Sequence, residues 1–200
     1  MKNLKNKITI AVVGRSGSGK GTQAKRILEK FGKEAHHMET GRFLRNIVER
    51  DNLTARAIGD ILKRGHLVPS WLAAFLWINE IVDKGVADKH LVFDGSPRTV
   101  GEAEIMDEVM EFHKRSLPVC VNVEASEKVV TRRLLLRGRT DDTPIAIRGR
   151  MDYFPKYVVP VIHYYEKRGR LITVDGNVGP DDVWKQVASA LKKRVKGVWR

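Results

Sequence analysis

Short apolar runs alternate with segments of helical periodicity along most of the chain. The apolar runs are Ile8–Val13, Ala35–Met38, Leu91–Phe93, Val119–Val123 and Leu171–Val174. Runs of this length predict strands, and strands without a polar face are typical of a parallel sheet that is buried on both faces. The pattern therefore predicts an α/β fold, a three-layer α/β/α sandwich with a five-stranded parallel sheet.

The segments between the apolar runs predict amphipathic helices. Helical spacing is found in Thr54–Arg64, Ser70–Lys84, Val100–His113, Glu127–Arg137 and Asp181–Val195. A glycine and a proline precede the last of these, which is a typical signal for the start of a helix. The sequence has 200 residues and contains no internal repeat, low-complexity tract or linker, so we expect a single domain over residues 1–200.

A glycine-rich segment with a lysine follows the first predicted strand and precedes a predicted helix over Gln23–Lys30. Between a strand and a helix, glycines let successive backbone N–H groups point into one concavity, and the helix N-terminus adds partial positive charge. The lysine reaches the terminal phosphates as a point charge. The sequence therefore predicts a site for a nucleoside triphosphate, bound by Gly14, Gly17, Ser18, Gly19, Lys20, Gly21 and Thr22.

The chain carries 37 Lys and Arg against 24 Asp and Glu, a formal net charge of +13, which indicates anionic partners. The basic residues are spread along the chain apart from a cluster at 192–196, and no interleaved aromatic residues offer a stacking platform for nucleic acid. We interpret the cluster as the solvated end of a helix, where cations suit the macrodipole. Small phosphates are therefore favoured over nucleic acid as the partners.

Two further observations concern the compartment. No apolar run approaches the roughly 20 residues that cross a bilayer, and the basic N-terminus leads directly into a predicted strand, unlike a secretory signal. Cys120 is the only cysteine and lies in an apolar run, which predicts a buried thiol and excludes an intrachain disulfide and a cysteine-based zinc site. We expect a cytoplasmic protein that does not enter membranes.

Three later segments complete a recognisable order. Thr-Gly-Arg-Phe-Leu-Arg occupies residues 40–45, Asp-Gly-Ser-Pro-Arg-Thr occupies 94–99, and an arginine-rich stretch over 133–142 is followed by Arg150. Together with the glycine-rich loop, in which glycine and threonine follow the lysine, these segments resemble the adenylate kinase family of nucleoside monophosphate kinases over nearly the whole chain. The resemblance implies a P-loop NTPase type fold and Mg²⁺-dependent, reversible phosphoryl transfer from ATP to a nucleoside monophosphate, by a monomer.

The resemblance also implies roles for individual residues. The residues implied in catalysis are Lys20, Arg98, Arg139 and Arg150, and those implied to border ATP are Arg133 and Arg137. The residues implied in binding the monophosphate are Thr40, Gly41, Arg45, His66, Val68, Gly95, Arg98, Glu102, Arg139 and Arg150. Guanidinium groups suit this chemistry because they are permanently charged and bind phosphate oxygens in a bidentate manner. Asp94 ends an apolar run with a carboxylate, the usual place for an acid that holds Mg²⁺ through water.

Two segments of the chain are expected to cover the substrates. By the resemblance, residues from about 40 to 69 form an insertion that binds the acceptor, and residues from about 138 to 149 form a short lid. Only two residues separate Gly138 from Asp141, so the longer, sometimes zinc-binding lid of other family members is absent. Closure of these segments would exclude water, which otherwise competes as the phosphoryl acceptor.

Three residues depart from the family pattern. Arg42 stands where an aspartate is usual, and Ser96 replaces an aromatic residue. Glu102 stands where adenylate kinases carry a glutamine that reads the acceptor adenine. An ionised carboxylate only accepts hydrogen bonds, so it suits the two donors of guanine better than the lone pair of adenine N1. AMP is the first expectation for the acceptor, and GMP, UMP and CMP stay open as alternatives.

A different class of function is also open. A P-loop ATPase module associated with nucleic acid would share the phosphate loop and the basic charge. Such a module hydrolyses ATP without an acceptor and responds to RNA or DNA, whereas a kinase forms diphosphate only with the correct monophosphate. ATP consumption with and without each monophosphate distinguishes the two.

Overall fold

The computed structural model describes residues 4–139, 141–195 and 197–199, and its centre is a sheet of five parallel strands in the order β2-β3-β1-β4-β5. The strands are β1 Thr9–Val13, β2 Ala35–Glu39, β3 His90–Asp94, β4 Val119–Glu124 and β5 Leu171–Asp175. Each strand coincides with one predicted apolar run to within one residue at either end, and helices flank the sheet. The predicted α/β fold with a five-stranded parallel sheet is therefore confirmed.

The helices cover most of the remaining described chain. They are α1 Lys20–Phe31, α2 Thr40–Val48, α3 Leu53–Lys63, α4 Ser70–Asp83, α5 Val100–Phe112, α6 Glu127–Arg137, α7 Pro144–Tyr153, α8 Val159–Lys167 and α9 Pro180–Arg194. A π-helical turn over Phe154–Val158 joins α7 to α8. Side-chain caps from Asn52, Thr99, Ser126 and Thr143 begin α3, α5, α6 and α7. None of the described helices is long and apolar enough to cross a membrane.

The side chains of β1 alternate between two hydrophobic layers. Ile10 and Val12 face one layer, where α1 and α9 pack on the sheet. Ala11 faces the opposite layer, where Trp77 of α4 and Met106 of α5 lie buried. Burial on both faces explains why the strands consist of apolar residues without a polar alternation. Because all five strands are parallel, their carboxyl ends lie at one edge of the sheet, where ligands of open α/β sheets bind.

Arg115 joins the opposite ends of the strands, far along the sheet from the glycine-rich loop. Its guanidinium donates hydrogen bonds to the carbonyl oxygens of Ala87, Lys89 (2.8 Å) and Ile8 (3.0 Å), and to the hydroxyl of Thr9. The residue is 5% exposed, and burial lowers its pKa to about 10. One side chain therefore satisfies three backbone carbonyl groups of two segments, the stretch before β3 and the residue before β1.

We expect Arg115→Met to destabilise the protein without touching the candidate site. The methionine fills the space but leaves several buried carbonyl groups without donors, each at a cost of about 1–3 kcal/mol. Urea unfolding should show a free energy of unfolding lowered by about 2–4 kcal/mol. Arg132→Met, on an exposed position of α6, is the matched control and should change it by less than about 0.5 kcal/mol. Equal stability of the two variants would contradict this role of Arg115.

Candidate active site

The glycine-rich loop makes a tight turn between β1 and α1. A Cβ added at Gly14 would lie 2.4 Å from the carbonyl oxygen of Val123, and one at Gly17 would lie 2.8 Å from that of Val130. Both glycines also have positive φ, which other residues rarely adopt. Gly19 precedes α1 without a side-chain cap, so the first N–H groups of the helix stay open. The loop thus offers backbone donors and a helix N-terminus to an anion.

Lys20 begins α1 and is partly buried, with its ammonium group 3.5 Å from the carbonyl oxygen of Arg15. Burial lowers the pKa of Lys20 to about 8; the charge of Asp94 opposes this shift, while those of Arg98 and two further arginines add to it. A lysine with several arginines around it and one carboxylate nearby is a site with excess positive charge. Such a site favours a multiply charged anion such as a triphosphate.

Asp94 ends β3 beside the C-terminal residue of β2, Glu39, which is its register partner. A Cβ added at Gly21 would lie 2.9 Å from the Oδ2 atom of Asp94, so a larger residue after Lys20 would require this carboxylate to shift. The Nε2 atom of His37 lies 4.0 Å from Oδ2 of Asp94. Burial lowers the pKa of His37, so the imidazole is neutral at pH 7 and does not neutralise the carboxylate. A charged oxygen ligand of this kind fits Mg²⁺.

Two cavities open at the carboxyl edge of the sheet. The larger cavity, of about 460 Å³, is lined by the loop residues 17–23, by Arg133 and by the apolar residues Val178, Pro180 and Val183. The smaller cavity, of about 140 Å³, is lined on its far side by Gly41, Leu44, Leu62, Gly65, His66, Arg98, Arg150 and Tyr153. Both are lined by Lys20, Gly21, Glu39, Asp94, Arg137 and Arg139. The shared charged wall allows two ligands to meet at one point.

Two acidic residues hold Arg137 at the end of α6 and Arg150 of α7. Asp142 accepts two hydrogen bonds from Arg137, both 2.7 Å, and one of 2.6 Å from Arg150, which also binds the carboxylate of Asp141 at 2.6 Å. Burial opposes ionisation of Asp142, but the hydrogen bonds from the two arginines prevail and lower its pKa. Arg139 is exposed and lines both cavities. Residue 140 of the expected lid lies outside the described residues.

A hydrogen bond within the turn after β3 holds the side chain of Arg98 beside Lys20. Its Nε atom donates a 2.6 Å hydrogen bond to the carbonyl oxygen of Gly95, and a Cβ at Gly95 would lie 3.2 Å from the guanidinium and 3.3 Å from Cε of Lys20. Ser96, the residue that replaces an aromatic one, shares a 2.7 Å hydrogen bond with the buried hydroxyl of Thr40. The serine therefore links the end of β3 to the start of α2.

The two arginines of α2 do not line either cavity. Arg45 donates a 2.7 Å hydrogen bond to Glu39, a residue that lines both cavities. Arg42 is exposed, and its guanidinium lies 5.6 Å from the centre of the Phe43 ring. The charge reversal at position 42 therefore points away from the cavities, and the negative charge at this end of β2 is that of Glu39.

A narrow recess adjoins the smaller cavity. It has a volume of about 20 Å³ and shares Leu44 and Arg98 with that cavity. Its wall includes Thr40, Val68 and Glu102, which the sequence assigned to the acceptor. Glu102 is only 1% exposed. We refer to this space, lined also by Leu67, Ser70, Ala73, Ser96 and Thr99, as the inner recess.

Most of the residues expected in the site lie around these spaces. The larger cavity contains Gly17, Ser18, Gly19, Lys20, Gly21, Thr22, Asp94, Arg133, Arg137 and Arg139, and the smaller one adds Gly41, His66, Arg98 and Arg150. Gly14 and Gly95 line a small space beside Lys20. Arg133 lines the larger cavity, but its guanidinium also donates to the carbonyl oxygens of Gly176 (2.7 Å) and Val178 (3.2 Å).

Comparison with known proteins gives a consistent result. Residues 12–170 match the family model for adenylate kinase. The chain is 35% identical to the adenylate kinase of Thermus thermophilus over 186 residues, which cover 91% of this chain and 96% of the relative. It is 34% identical over 196 residues to adenylate kinase isoenzyme 1 of the pig and of humans, with 95% and 97% coverage. The chain belongs to the adenylate kinase family. It is a nucleoside monophosphate kinase, as the order of its motifs predicts.

Some residues that line the cavities were not identified from the sequence. Val178, Pro180 and Val183 give the larger cavity an apolar wall, and Tyr153 closes part of the smaller one. No charge or spacing marks these residues, because apolar side chains at the ends of helices and strands are common. Glu39 had a signal, since a carboxylate at the end of an apolar run is the same pattern that identified Asp94.

The turn after α3 and helix α7 touch through two glycines. A Cβ at Gly65, which follows α3, would lie 2.0 Å from the carbonyl oxygen of Ala146 in α7. A Cβ at Gly149 of α7 would lie 2.1 Å from the carbonyl oxygen of Arg64. The backbones of the two segments are therefore in close contact. Gly65 and Arg150, the residue after Gly149, both line the smaller cavity.

We expect Gly149→Ala to reduce turnover by about ten- to a hundredfold. Alanine is the better helix former by about 1 kcal/mol, but its Cβ forces α7 away from α3. A displacement of about 1 Å of the neighbouring Arg150 is enough for a loss of this size. Steady-state kcat with saturating substrates measures it, and Arg148→Ala, at the exposed preceding position, is the control. Equal kcat in both variants would show that the contact does not position the lid.

Proposed function

We propose that this enzyme catalyses the reversible reaction ATP + AMP ⇌ 2 ADP, with Mg²⁺ bound to the donor. The observation that carries the proposal is the charged wall shared by the two cavities, because phosphoryl transfer requires donor and acceptor phosphates to meet at one cationic point. AMP is supported as the acceptor by the names of the relatives. The reaction class itself follows from membership of the family.

The larger cavity suits the donor. The glycine-rich loop and Lys20 bind the triphosphate, and Val178 and Pro180 offer an apolar surface to the base. Arg133, held by backbone carbonyls, gives the base a planar cation on one side. Asp94 would hold the waters of Mg²⁺, and the bound ion would supply charge neutralisation between the terminal phosphates.

The smaller cavity suits the acceptor. Arg98 and Arg150 bind the phosphate of AMP, one oxygen of which attacks the γ-phosphorus of ATP as the bond to the β-phosphate oxygen breaks, and the leaving ADP keeps that electron pair. Arg137 and Arg139, which line both cavities, stabilise the charge on the transferring group. Arg45 forms an ion pair with Glu39, and we propose that it exchanges this partner for the phosphate of AMP.

We propose the same division of the chain that the resemblance implies. Residues from about 40 to 69 form the acceptor-binding insertion and residues from about 138 to 149 form the lid of a single domain over residues 1–200. The glycine contact between α3 and α7 supports closure of the two segments over the phosphates. Because both cavities are built from one chain, we propose a monomer. The buried free thiol of Cys120 is compatible with the cytoplasm as its location.

A panel of acceptors tests this function. Diphosphate formation is measured with ATP and Mg²⁺ and with AMP, GMP, UMP or CMP, and then without an acceptor in the presence of RNA or DNA. We expect rapid formation of ADP with AMP and slow ATP loss without an acceptor. Preference for another monophosphate would replace AMP in the proposal. ATP hydrolysis that nucleic acid stimulates and acceptors do not affect would identify an ATPase module instead.

We also expect ATP binding to be accompanied by proton uptake at pH 8. With a pKa of about 8, about half of Lys20 is uncharged at this pH, and bound phosphates raise its pKa again, so about half a proton is taken up. Calorimetry in two buffers of different ionisation enthalpy measures the uptake. Two controls should show no proton uptake by residue 20. At pH 6.5 Lys20 is already charged in wild type, and in Lys20→Arg the side chain is charged at both pH values. Equal uptake by wild type and Lys20→Arg at pH 8 would contradict it.

A further inference from the structure

Glu102 places a buried carboxyl group on the wall of the inner recess. Its side chain comes from α5 and is 1% exposed, although the residue is acidic. The recess has room for about one water molecule, and it adjoins the smaller cavity, with which it shares the lining residues Leu44 and Arg98. The edge of a base that lies in the smaller cavity can therefore reach this carboxyl group by replacing a water-sized volume.

The neighbours of this carboxyl group are donors of hydrogen bonds. Oε2 accepts a 2.7 Å bond from the backbone N–H of Arg98, and Oε1 accepts a longer bond of 3.2 Å from the indole N–H of Trp77 in α4. The hydroxyl of Ser96 also reaches the group. Among these neighbours Arg98 alone is charged, and its guanidinium binds Gly95 and not Glu102. The carboxyl group therefore has no ion-pair partner among them.

We propose that Glu102 binds the acceptor base as a neutral carboxylic acid, which donates one hydrogen bond and accepts another, so that the choice between AMP and GMP depends on pH. This inference rests on the proposed function, since it assumes that the smaller cavity holds the acceptor. It changes the expectation from the sequence, in which the glutamate is ionised and disfavours adenine.

The geometry determines which oxygen takes the proton. Oε2, with the short bond from Arg98, is the acceptor oxygen, and Oε1, with the long bond from Trp77, is the hydroxyl oxygen. The neutral acid then presents a donor to adenine N1 and an acceptor to the adenine amino group, the same pattern as an amide side chain. Burial raises the pKa of Glu102 and outweighs the hydrogen bonds and the charge of Arg98, which lower it.

Ionisation reverses the pattern. Above the pKa of Glu102 the carboxylate accepts only, so it repels the lone pair of adenine N1 and matches the two donors on the same edge of guanine. A buried polar group without a partner weakens binding strongly. We therefore expect the dissociation constant of AMP to rise about tenfold or more as the pH increases through the titration of Glu102, while that of GMP falls.

The experiment compares Glu102→Gln with wild type between pH 5 and 9. The amide has almost the same volume and keeps one donor and one acceptor at every pH. Dissociation constants of AMP and GMP are measured by calorimetry, and the ratio of wild type to variant cancels the ionisation of the AMP phosphate, whose pKa is about 6. Glu104→Gln makes the same change at an exposed position of α5 and should keep the wild-type profile. Infrared difference spectra of wild type and Glu102→Gln with AMP bound should contain the C=O band of a protonated carboxyl group.

The outcomes separate this inference from the proposed function. A ratio for AMP that increases with pH, together with the carboxyl band, supports it. Parallel profiles for wild type and variant, with AMP bound by both, overturn it and leave the proposed function intact. Failure of both proteins to bind AMP at any pH overturns both proposals. If Glu102→Gln does not fold, the wild type decides alone: a spectrum without a carboxyl band that responds to AMP and to pH overturns the inference.

Discussion

Lys20→Met is expected to reduce phosphoryl transfer by about 10³-fold or more while the protein stays folded. Lys20 lines both cavities and is the lysine at the point where the two ligands meet. Without its charge, the developing negative charge on the transferring group loses a preorganised partner in a site of low dielectric. The measurement is the initial rate of ADP formation from ATP and AMP at saturating substrate.

The stability of the same variant should be unchanged or slightly higher. The lowered pKa of Lys20 means that the folded protein penalises its charged form, so the protein is less stable below pH 8 than it would be with an unperturbed lysine. A methionine has no such penalty. Urea unfolding at pH 7 tests this, and Lys30→Met, near the exposed C-terminal end of α1, is the matched control for both measurements. A Lys20→Met enzyme that retains a tenth of the wild-type rate would exclude the assigned role.

The strands could be predicted because burial on both faces requires runs of apolar residues, which are easily recognised in a sequence. An apolar run such as residues 119–123 needs no tertiary information to be recognised. The helix α2 was not predicted, because it begins at Thr40-Gly41 without a side-chain cap and with a glycine in its first turn. No predicted helix covers 144–167, where Pro155 and Pro160 would suggest a break. Pro155 lies within the π-helical turn Phe154–Val158 and Pro160 lies two residues after it, and the altered hydrogen bonding of this turn accommodates residues that lack an N–H group.

Most residues that line the two cavities could be expected there from the sequence, but the orientations of their side chains could not. The motifs name residues such as Lys20 and Arg98, and the topology of a parallel sheet brings the strand ends together. Sequence patterns do not state which way a side chain turns on a short helix. The sequence assigned Arg45 to the phosphate and treated Arg42 as a departure, but it did not show that Arg42 lies over Phe43 or that Arg45 forms an ion pair with Glu39.

The end of the chain gives a second example. The basic residues of the last turn of α9 are exposed, as expected for the solvated end of a helix. Lys196, the last of that cluster, lies outside the described residues. Trp199 nevertheless packs back into the layer of α1, with its ring centre 5.3 Å from that of Phe31. A single tryptophan after a run of lysines carries no periodicity, so the sequence did not predict this contact.

Arg98→Ala is expected to lower kcat by about 10³-fold or more. The guanidinium lies beside Lys20 on the side of the smaller cavity, where its Nε atom is held by the carbonyl oxygen of Gly95 and its backbone N–H by Glu102. Its terminal nitrogens are thus already oriented when the acceptor arrives. A preorganised cation at the transferring group contributes more in the transition state than in the ground state, so its loss affects kcat more than the KM for the monophosphate.

Two further variants decide whether orientation or charge is the cause. Arg98→Lys keeps the charge but loses the planar, bidentate group, and we expect a rate between those of wild type and Arg98→Ala. Arg42→Ala removes an arginine that is close in sequence to the acceptor residues but points over Phe43, so its kcat should stay within about threefold of wild type. A loss confined to the KM for the monophosphate in Arg98→Ala would make Arg98 a binding residue only. If Arg42→Ala were as slow as Arg98→Ala, kcat would depend on the total positive charge near the cavities. The assignment of roles to individual arginines from their positions would then be wrong.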